Sequence, residues 1–397
     1  MRKIIALAIT AQVGLMFSGF NFGLPVCKAM AASAKSEEAY GYIDRNGKMV
    51  IPPGFDEAGK FSEGLAAVKV GDKFGFVDKT GAMKIEPRFS EADSFKEGLA
   101  AVVDASAEEK LYGFIDKDGK FVIEPAFEQA HAFQEGVAAV KFKRAGEVGF
   151  DTQWGYIDKT GKTVIKPQFS DANEFNKGLA IIQNGQHYGV IDRDGAFLVK
   201  PSYQLILQSP DNTMTYLKLS GNVMGLTGLG YNWIVTGGLF GFLDSKGKTI
   251  IKPTYDGATS FSEGLACVAS GAKEKDGRPR TWAYIDSNGN KTIDGKYSFG
   301  LPFSEGLAPV AKGRWQMGMS PSLVAAKWGF IDKKGKVVVP LTFDDAYPFV
   351  GGMARVVSDD KTGFLDHNGK IAIEPKYSDA DDFSEDLAAV KTERAKN

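Results

Sequence analysis

The stretch GFIDKDGKFVIEPAFEQAHAFQEGVAAV, residues 113–140, decides the fold, because close copies of it recur along most of the chain. Aromatic and β-branched residues alternate up to Asp116, two polar residues and Gly119 follow, and an apolar run then resumes. Such alternation is typical of β-strands, and an Asp followed by Gly is typical of a tight turn. The segment predicts a β-hairpin closed by a type I turn with a G1 bulge.

Nine copies of the hairpin motif align in register, beginning at residues 41, 75, 113, 155, 189, 241, 283, 329 and 363. A second phrase, FSEGLA or a close variant, occurs eight times, at residues 61, 95, 133, 175, 261, 303, 349 and 383. Its tail, such as LAAVKV from Leu65, predicts a further strand. The pattern predicts an all-β fold of nine tandem three-stranded antiparallel units, each of which needs neighbours to bury its faces.

The two ends of the repeat array complement each other. The first hairpin lacks its leading strand, and the last leading strand lacks its hairpin. Pairing residues 387–391 with the first hairpin would give a propeller-like closed ring that hides both edges. An open β-solenoid is the alternative that the same ends allow.

Two spacings within the unit differ in character. The apolar residue before the proline always lies 14 positions from that of GLA, as from Ile85 to Leu99, so Phe89, Ala92 and Phe95 are expected to be wedged between units. The distance from GLA to the next hairpin takes the values 10, 14, 18 and 22. Steps of four preserve the facing of every side chain, which predicts hairpin arms lengthened in register on one side of the molecule.

The unit at about residues 202–240 is degenerate. It lacks FSEGLA, and no charged residue falls between Lys218 and Asp244. Glycines and asparagines in this stretch favour a degenerate blade or a packed insertion over a membrane span.

Residues 1–34 have the pattern of a signal peptide, with Arg2 and Lys3 before an apolar run and a string of small residues. Cleavage is expected after Ala31 or Ala34, which would leave residues 35–397 as one repeat domain, extracytoplasmic and without a stable membrane span. Cys267 would then be the one remaining cysteine, and it is expected to be a buried structural thiol.

From Tyr40 to about Val390 the units resemble the bacterial WG repeat family, also called the KWG repeat. The naming dipeptide stands at residues 154–155 and 328–329, while Trp282–Ala283 is close to it and Thr362 departs from it. The resemblance implies a β-repeat scaffold, often exported, with no catalytic residues to carry over.

The composition limits the chemistry. A net charge of -1 without a basic stripe argues against nucleic acid as a partner. The recurring turn aspartates resemble part of a calcium loop but lack its further oxygen ligands, so they are interpreted as turn formers, and neither a metal nor a cofactor is expected. The recurring glutamates resemble a carboxylate ring, but a place in every unit favours a role in the fold.

Catalysis has little support in the sequence. Three histidines stand in different settings, and no HExxH or GxSxG motif occurs. We therefore expect no enzyme and no catalytic residue. A glycoside hydrolase with two acids across a propeller channel is the lower alternative.

The residues that break the repeat are the candidate binding site. Trp315 lies in the longest arm beside Arg314, Met317 and Met319, and Trp233 lies with Tyr231 in the degenerate unit. These residue types are enriched at interface hot spots. The predicted function is an exported, non-enzymatic scaffold that binds a protein or glycan of the cell envelope through its arms. A purely structural or surface-layer role is the alternative.

Overall fold

The structure, a computed structural model, describes residues 38–143, 153–210, 213–219, 226–228, 233–235, 238–269, 281–316 and 322–394. The predicted signal peptide, residues 1–34, lies outside this part of the chain. Every regular element within it is a β-strand, and every strand pairing is antiparallel, so the prediction of an all-β repeat fold is confirmed.

The strands form nine antiparallel blades, numbered here in chain order. Blades 1–3 contain β3 (Glu57–Ala58), β4 (Leu65–Val70), β5 (Lys73–Asp78), β6 (Met83–Ala92), β7 (Ala100–Asp104), β8 (Tyr112–Ile115), β9 (Phe121–Ala130), β10 (Val137–Phe142), β11 (Trp154–Asp158) and β12 (Thr163–Phe169). Blades 4 and 5 contain β13 (Asp171–Ala172), β14 (Ala180–Asn184), β15 (His187–Ile191), β16 (Phe197–Tyr203), β17 (Leu205–Gln208), β18 (Met214–Leu219), β21 (Gly238–Leu243) and β22 (Thr249–Tyr255).

The remaining blades use both ends of the chain. Blades 6 and 7 contain β19 (Leu226–Gly228), β20 (Trp233–Val235), β23 (Gly257–Ala258), β24 (Ala266–Ala269), β25 (Trp282–Ile285), β26 (Lys291–Tyr297), β27 (Phe299–Gly300), β28 (Leu307–Gln316), β29 (Ser322–Asp332) and β30 (Val337–Phe343). Blades 8 and 9 contain β31 (Asp345–Ala346), β32 (Met353–Ser358), β33 (Lys361–Asp366), β34 (Ile371–Tyr377), β35 (Asp379–Ala380), β36 (Leu387–Glu393), β1 (Glu38–Asp44) and β2 (Met49–Phe55).

Each blade has four strands rather than the predicted three. The additional strand is the short one that precedes the FSEGLA phrase, such as β3, and it pairs with the strand that follows the phrase. The sequence pattern did not reveal it because two paired residues are too few to show a period. In blades 1 and 2 the fourth strand bends and continues into the first strand of the next blade, within β6 and β9.

The short first strands lie at the centre of the ring. Lys96 of blade 2 and Glu174 of blade 4 form an ion pair of 3.0 Å across blade 3, which requires the blades to converge at this edge. The fourth strands form the outer edge, where exposed residues such as Val122 and Val164 alternate with buried ones.

Blade 9 closes the ring by joining both ends of the chain in one sheet. β36 pairs with β1 over seven residues, with Gly41 opposite Val390. Tyr42 of blade 9 then packs on Phe61 of blade 1, with ring centroids 4.8 Å apart. Phe76 and Phe95 make the same contact between blades 1 and 2, at 4.9 Å. The closing junction therefore repeats the contacts of an internal one, as the predicted ring requires.

The hydrophobic core lies between blades. One cluster joins blades 1 and 2 and includes Phe76, Phe89 and Phe95, all fully buried, with Ala92 packed against it. Another joins blade 9 to blade 1 and includes Tyr42, Phe61 and Leu387. The expected wedge residues thus lie between units, and they stabilise the ring as well as the single blade.

The hairpin turns have the predicted geometry. Asp116 accepts hydrogen bonds through Oδ1 from the backbone N–H groups of Asp118 and Lys120, at 3.0 and 2.9 Å. Gly119 has a φ of 80°, which favours glycine. The turn aspartates of the nine units accept the same backbone bonds in the structure.

The glycine of the WG dipeptide is required by a close approach of two strands. A Cβ on Gly75 would lie 2.4 Å from the carbonyl oxygen of Ile85 and 2.8 Å from the nitrogen of Pro87. The ladder is irregular here, because Phe74 pairs with Phe89 whereas Phe76 pairs with Ile85. The proline therefore lies in a bulge inside β6 and does not end the strand.

In blade 6 both residues of this close approach are exchanged. Ala283 replaces the glycine there, and Gly295 replaces the proline. The same blade contains Cys267, which is fully buried and whose pKa is raised by that burial, as expected for a structural thiol.

The degenerate unit forms blade 5. Its strands β17, β18, β21 and β22 make the usual four-stranded sheet without an FSEGLA turn. The insertion between β18 and β21 contributes the hairpin β19–β20, which pairs with the first strand of blade 6, Trp233 opposite Ala258. Because that strand lies at the inner edge, this hairpin extends the sheet towards the centre of the ring.

The insertions form either a paired arm or a loop. In blade 7, β28 and β29 form a long paired arm, as predicted, but with a bulge, since Lys312 pairs with Lys327 and Arg314 with Val324. In blade 2 the prediction is wrong, because residues 105–111 form a loop. Asp104 accepts the backbone N–H and the hydroxyl of Ser106, a side-chain turn that ends the strand. The insertions of blades 3 and 6 extend into 144–152 and 270–280, outside the described residues.

Candidate functional site

The recurring glutamates form clamps between blades. Each FSEGLA turn is a two-residue hairpin in which both central residues have positive φ, 55° at Glu63 and 87° at Gly64, as in a type I′ turn. The Glu63 carboxylate accepts the backbone N–H of Gly98 in blade 2 at 3.0 Å. Glu385 of blade 9 accepts that of Gly64 at 3.1 Å. These carboxylates therefore serve the fold, in agreement with the interpretation drawn from their place in the repeat.

A lysine or arginine of the next hairpin completes the clamp at five of these glutamates, which are Glu63, Glu97, Glu135, Glu263 and Glu385. Lys79 lies 3.1 Å from Glu385, and Lys117 lies 3.2 Å from Glu63. Partial burial acts to raise the pKa of the Glu385 carboxyl, but Lys79 and the N–H of Gly64 outweigh it, and the pKa is lowered. This clamp therefore favours the ionised form of Glu385.

The junction of blades 8 and 9 is rewired. Gly351 replaces the glutamate of blade 8, and Asp386 replaces the turn glycine of blade 9 with a φ of 71°. Arg45 pairs with Asp386 at 2.7 Å and also donates to the carbonyl oxygen of Gly351. At this junction the carboxylate belongs to blade 9 instead of blade 8, while the basic residue still comes from the hairpin of blade 9.

A buried ionic cluster joins blades 8, 9 and 1 at the centre of the ring. Arg355 donates through Nε to Asp382 at 2.6 Å, and its guanidinium lies 4.1 Å from the ring centroid of Tyr347. Lys60 lies 3.0 Å from the same Asp382. The Arg355 and Asp382 side chains are both 14% exposed. Burial acts to raise the pKa of the Asp382 carboxyl, but Arg355 and Lys60 hold it below its ordinary value.

A second central cluster lies on blades 2–4. Asp93 forms no hydrogen bond or ion pair through its carboxylate with another described residue, and burial, followed by Glu174 and Glu91, raises its pKa to about 6. Lys96 pairs with Glu174, and His131 stacks on Trp154 with ring centroids 4.9 Å apart. The Asp93 side chain is exposed to solvent, and the neighbouring protein atoms remove only part of its hydration.

The longest arm contains two of the sequence-predicted site residues. Trp315 and Arg314 lie on β28, where Trp315 is opposite Leu323, and Arg314 is exposed. Met317 and Met319 lie outside the described residues. The arm continues β28 and β29 beyond the pair Lys312–Lys327, where the corresponding hairpin of blade 1 already turns, after Val70 and Lys73.

The other predicted site residues lie on a different sheet. Trp233 is on β20 at the inner edge of blade 6, and Tyr231 lies outside the described residues. The structure therefore assigns the two tryptophans to separate elements, an arm of blade 7 and an inner hairpin beside blade 6.

Arg355, Asp382 and Lys60 were not among the residues predicted from the sequence. A signal was present, because Arg355 occupies a position that is alanine in several units, such as Ala67 and Ala389. A single arginine inside a strand is too weak a departure from the repeat to indicate a buried ion pair.

Within the described residues, no helix is long and apolar enough to span a membrane. A comparison with curated protein sequences gives no match.

Among solved structures, the chain resembles a crystal structure of the eukaryotic initiation factor, with 10% identity, 85% of this chain and 95% of that chain covered, and a TM-score of 0.50. It also resembles the tricorn protease, with 13% identity, coverages of 85% and 34% and a TM-score of 0.38. A third match is a putative TolB from Agrobacterium tumefaciens, with 10% identity, coverages of 53% and 86% and a TM-score of 0.30. Only the first match reaches a TM-score of 0.50, and at 10% identity it shows a likeness of fold alone.

The model of the WG containing repeat matches eight segments. They are residues 40–74, 74–104, 112–143, 154–186, 240–273, 282–314, 328–361 and 363–393. The unmatched residues 187–239 include most of the degenerate unit, which nevertheless folds as a blade. With its repeats, its blades and this match in agreement, the chain belongs to the WG-containing repeat family.

Proposed function

We propose that this protein is an exported, non-enzymatic scaffold that binds a protein or glycan of the cell envelope through the arm of blade 7. The observation that carries the proposal is the arm itself, a paired extension of β28 and β29 that the repeat does not require. The arm carries Trp315 and Arg314, which are residue types enriched where binding energy concentrates.

The repeated polar residues are engaged within the fold, which supports a binding role for the arm. The turn aspartates bind their own turns, and glutamates such as Glu63 and Glu385 bind the neighbouring blade. Groups that are already engaged in this way have little capacity left for a ligand. Binding is therefore expected where the chain departs from the repeat.

Arm removal is the direct test. Residues 313–326 are replaced by Asn-Gly, which joins Lys312 to Lys327 by the two-residue turn that blade 1 already uses between Val70 and Lys73. The blade is preserved because Lys312 and Lys327 are ladder partners. We expect the shortened protein to melt like the wild type and to lose its captured partner in crosslinking mass spectrometry of envelope extracts.

A point variant and a matched control refine this test. Trp315→Ala is expected to lose the same partner, whereas Phe197→Ala, at a residue 42% exposed on the outer strand of blade 4, is expected to retain it. Equal capture by the wild type, the shortened arm and Trp315→Ala would favour the purely structural or surface-layer role. N-terminal sequencing of the protein from the extract tests export, with a start at residue 32 or 35 expected.

A hydrolase is the second candidate, because Asp93 combines a raised pKa with a nearby carboxylate, Glu174, that Lys96 pairs. Two carboxyl groups, one of them an acid with a raised pKa, are the usual pair in glycoside hydrolysis. Under the scaffold proposal, neither the wild type nor Asp93→Asn releases reducing sugar from envelope polysaccharides. Release by the wild type that Asp93→Asn abolishes would favour the enzyme.

A further inference from the structure

The base of the blade 7 arm has a cationic face, which continues onto the arm at Arg314. Lys312 and Arg314 stand two residues apart on β28 and so share one face of the ladder, and Lys327 is the cross-strand partner of Lys312. All three residues are exposed. Neighbours at i and i+2 on a strand are about 7 Å apart, and cross-strand partners about 5 Å, so three positive charges fall within one short strip.

This arrangement is unfavourable without a counter-charge. Like charges directly opposite each other destabilise a β-ladder. Asp344 of blade 7 offsets Lys327, at 2.7 Å, whereas Lys312 and Arg314 have no ion-pair partner among the described residues. The sequence supplies none nearby either, because residues 306–330 contain three basic residues and no acidic one.

We propose that this face binds a linear acidic polysaccharide, whose carboxylates pair with Lys312 and Arg314. The inference rests on the proposed function and names the chemical class of the partner that the arm takes. A polyuronate carries one carboxylate on each sugar ring, so a chain lying along the arm presents several anions to the strip in succession. The two unpaired cations then gain the counter-charge that the protein does not provide.

The surroundings of the arm favour a linear chain over an anionic membrane. The end of blade 8 that lies on the same side of the ring carries exposed acids, Asp359 and Asp360, and Asp344 is exposed beside the arm. A flat anionic surface that reached the strip would also meet these carboxylates. A single polysaccharide chain avoids them by following the projecting arm.

The geometry also disfavours a small anion as the partner. A specific site for phosphate or a single carboxylate needs converging donors in a concave setting. The strip lies instead at the exposed base of a two-stranded extension, with Lys312 and Arg314 two residues apart on one strand. Several weak ion pairs in series suit a polymer, since each exposed pair contributes little alone.

The experiment measures binding of the purified full protein to polygalacturonate, with dextran as the neutral polysaccharide and phosphatidylglycerol vesicles as the anionic membrane. The double variant Lys312→Ala, Arg314→Ala is compared with Lys166→Ala, Lys200→Ala, which removes the same charge from exposed outer-strand residues of blades 3 and 4. The wild type and the control are expected to bind polygalacturonate, and the arm variant at least about tenfold more weakly. Binding should also weaken as salt is raised.

A second readout does not depend on any ligand. Removal of Lys312 relieves the like-charge pair, so Lys312→Ala should melt at the wild-type temperature or above it. A melting temperature above that of the control, together with lost binding, shows that the charge is kept at a cost to the fold. A clearly lower melting temperature would overturn the argument from repulsion.

The outcomes separate this inference from the proposed function. No binding of polygalacturonate by the wild type, equal binding by the arm variant, equal binding of dextran, or binding of vesicles alone would overturn the polysaccharide inference. If the shortened arm still loses a captured envelope protein in that case, the proposed function stands without it. If neither polygalacturonate nor any extract component depends on the arm, both fail.

Discussion

Replacing Asp382 by asparagine tests whether the central ionic cluster locks the closing blade. Asp382 of blade 9 receives Arg355 from blade 8 at 2.6 Å and Lys60 from blade 1 at 3.0 Å, so one carboxylate connects both junctions of the blade that joins the chain ends. Asparagine keeps the shape and one acceptor oxygen but removes the charge. Arg355 then retains its bond to the carbonyl oxygen of Ala380 and its contact with Tyr347.

The magnitude follows from burial. Breaking a fully buried ion pair by removing one partner costs about 3–5 kcal/mol. Arg355 and Asp382 are each 14% exposed and Lys60 is 39% exposed, so solvent recovers part of that cost. We expect Asp382→Asn to lower the free energy of unfolding by about 2–3 kcal/mol, or the melting temperature by about 3 °C for a chain of this length.

Urea and thermal unfolding measure the effect, with Asp194→Asn, an exposed hairpin aspartate, as the control. A double-mutant cycle with Arg355→Met should give a coupling of about 1–2 kcal/mol. Because the folded pKa of Asp382 lies below its ordinary value, its contribution is present above the unfolded pKa and is lost as the pH falls through the folded pKa. A change within about 0.5 kcal/mol of the control would refute the lock.

Three further predictions concern single sites. Phe95→Ala removes a fully buried ring from the junction of blades 1 and 2 and should cost about 3–5 kcal/mol in urea unfolding, and a cost below about 1 kcal/mol would contradict the wedge. Gly329→Ala places a Cβ 2.4 Å from the carbonyl oxygen of Val339 and should cost about 2–3 kcal/mol; unchanged stability would show that the bulge yields. The pKa of Asp93 is raised to about 6, so the contribution of this group to the free energy of unfolding is greatest below the unfolded pKa. That contribution is lost as the pH rises through 6. The free energy of unfolding should fall across this range by no more than about 1 kcal/mol for an accessible group, and Asp93→Asn should flatten the slope; a slope of opposite sign would refute the assignment.

The repeat made much of the fold predictable. A hairpin such as 113–124 encodes its turn locally through Asp116 and Gly119, so nine copies gave the number of blades and the phase of the closing pair. The short first strands stayed hidden, because two paired residues such as Glu57–Ala58 carry no period. The loop at 105–111 replaced a predicted arm because Asp104 bonds to Ser106, a local side-chain choice that spacing does not reveal.

The candidate site was less predictable than the fold. Trp315 and Arg314 were placed on an arm by their position outside the repeat, and the arm exists. The bulge at residues 325–326, which places Arg314 opposite Val324, is a property of the ladder that the spacing does not reveal. Likewise, Arg355 and Lys60 come from blades at opposite ends of the chain, and only the closed ring brings both to Asp382.

Closure through β1 and β36 also orders events during synthesis. Contacts within and between blades 1–8 join segments that are near in sequence, and such contacts form quickly once both partners exist. Gly41 must wait for Val390, almost the whole chain later, before blade 9 can form. A growing chain therefore keeps Tyr42 and Ile43, both fully buried in the closed ring, without their β36 partners Ala389 and Ala388 until that strand is made. Ring completion is thus a late step, and a nascent protein cannot acquire its closed core before β36 has been made.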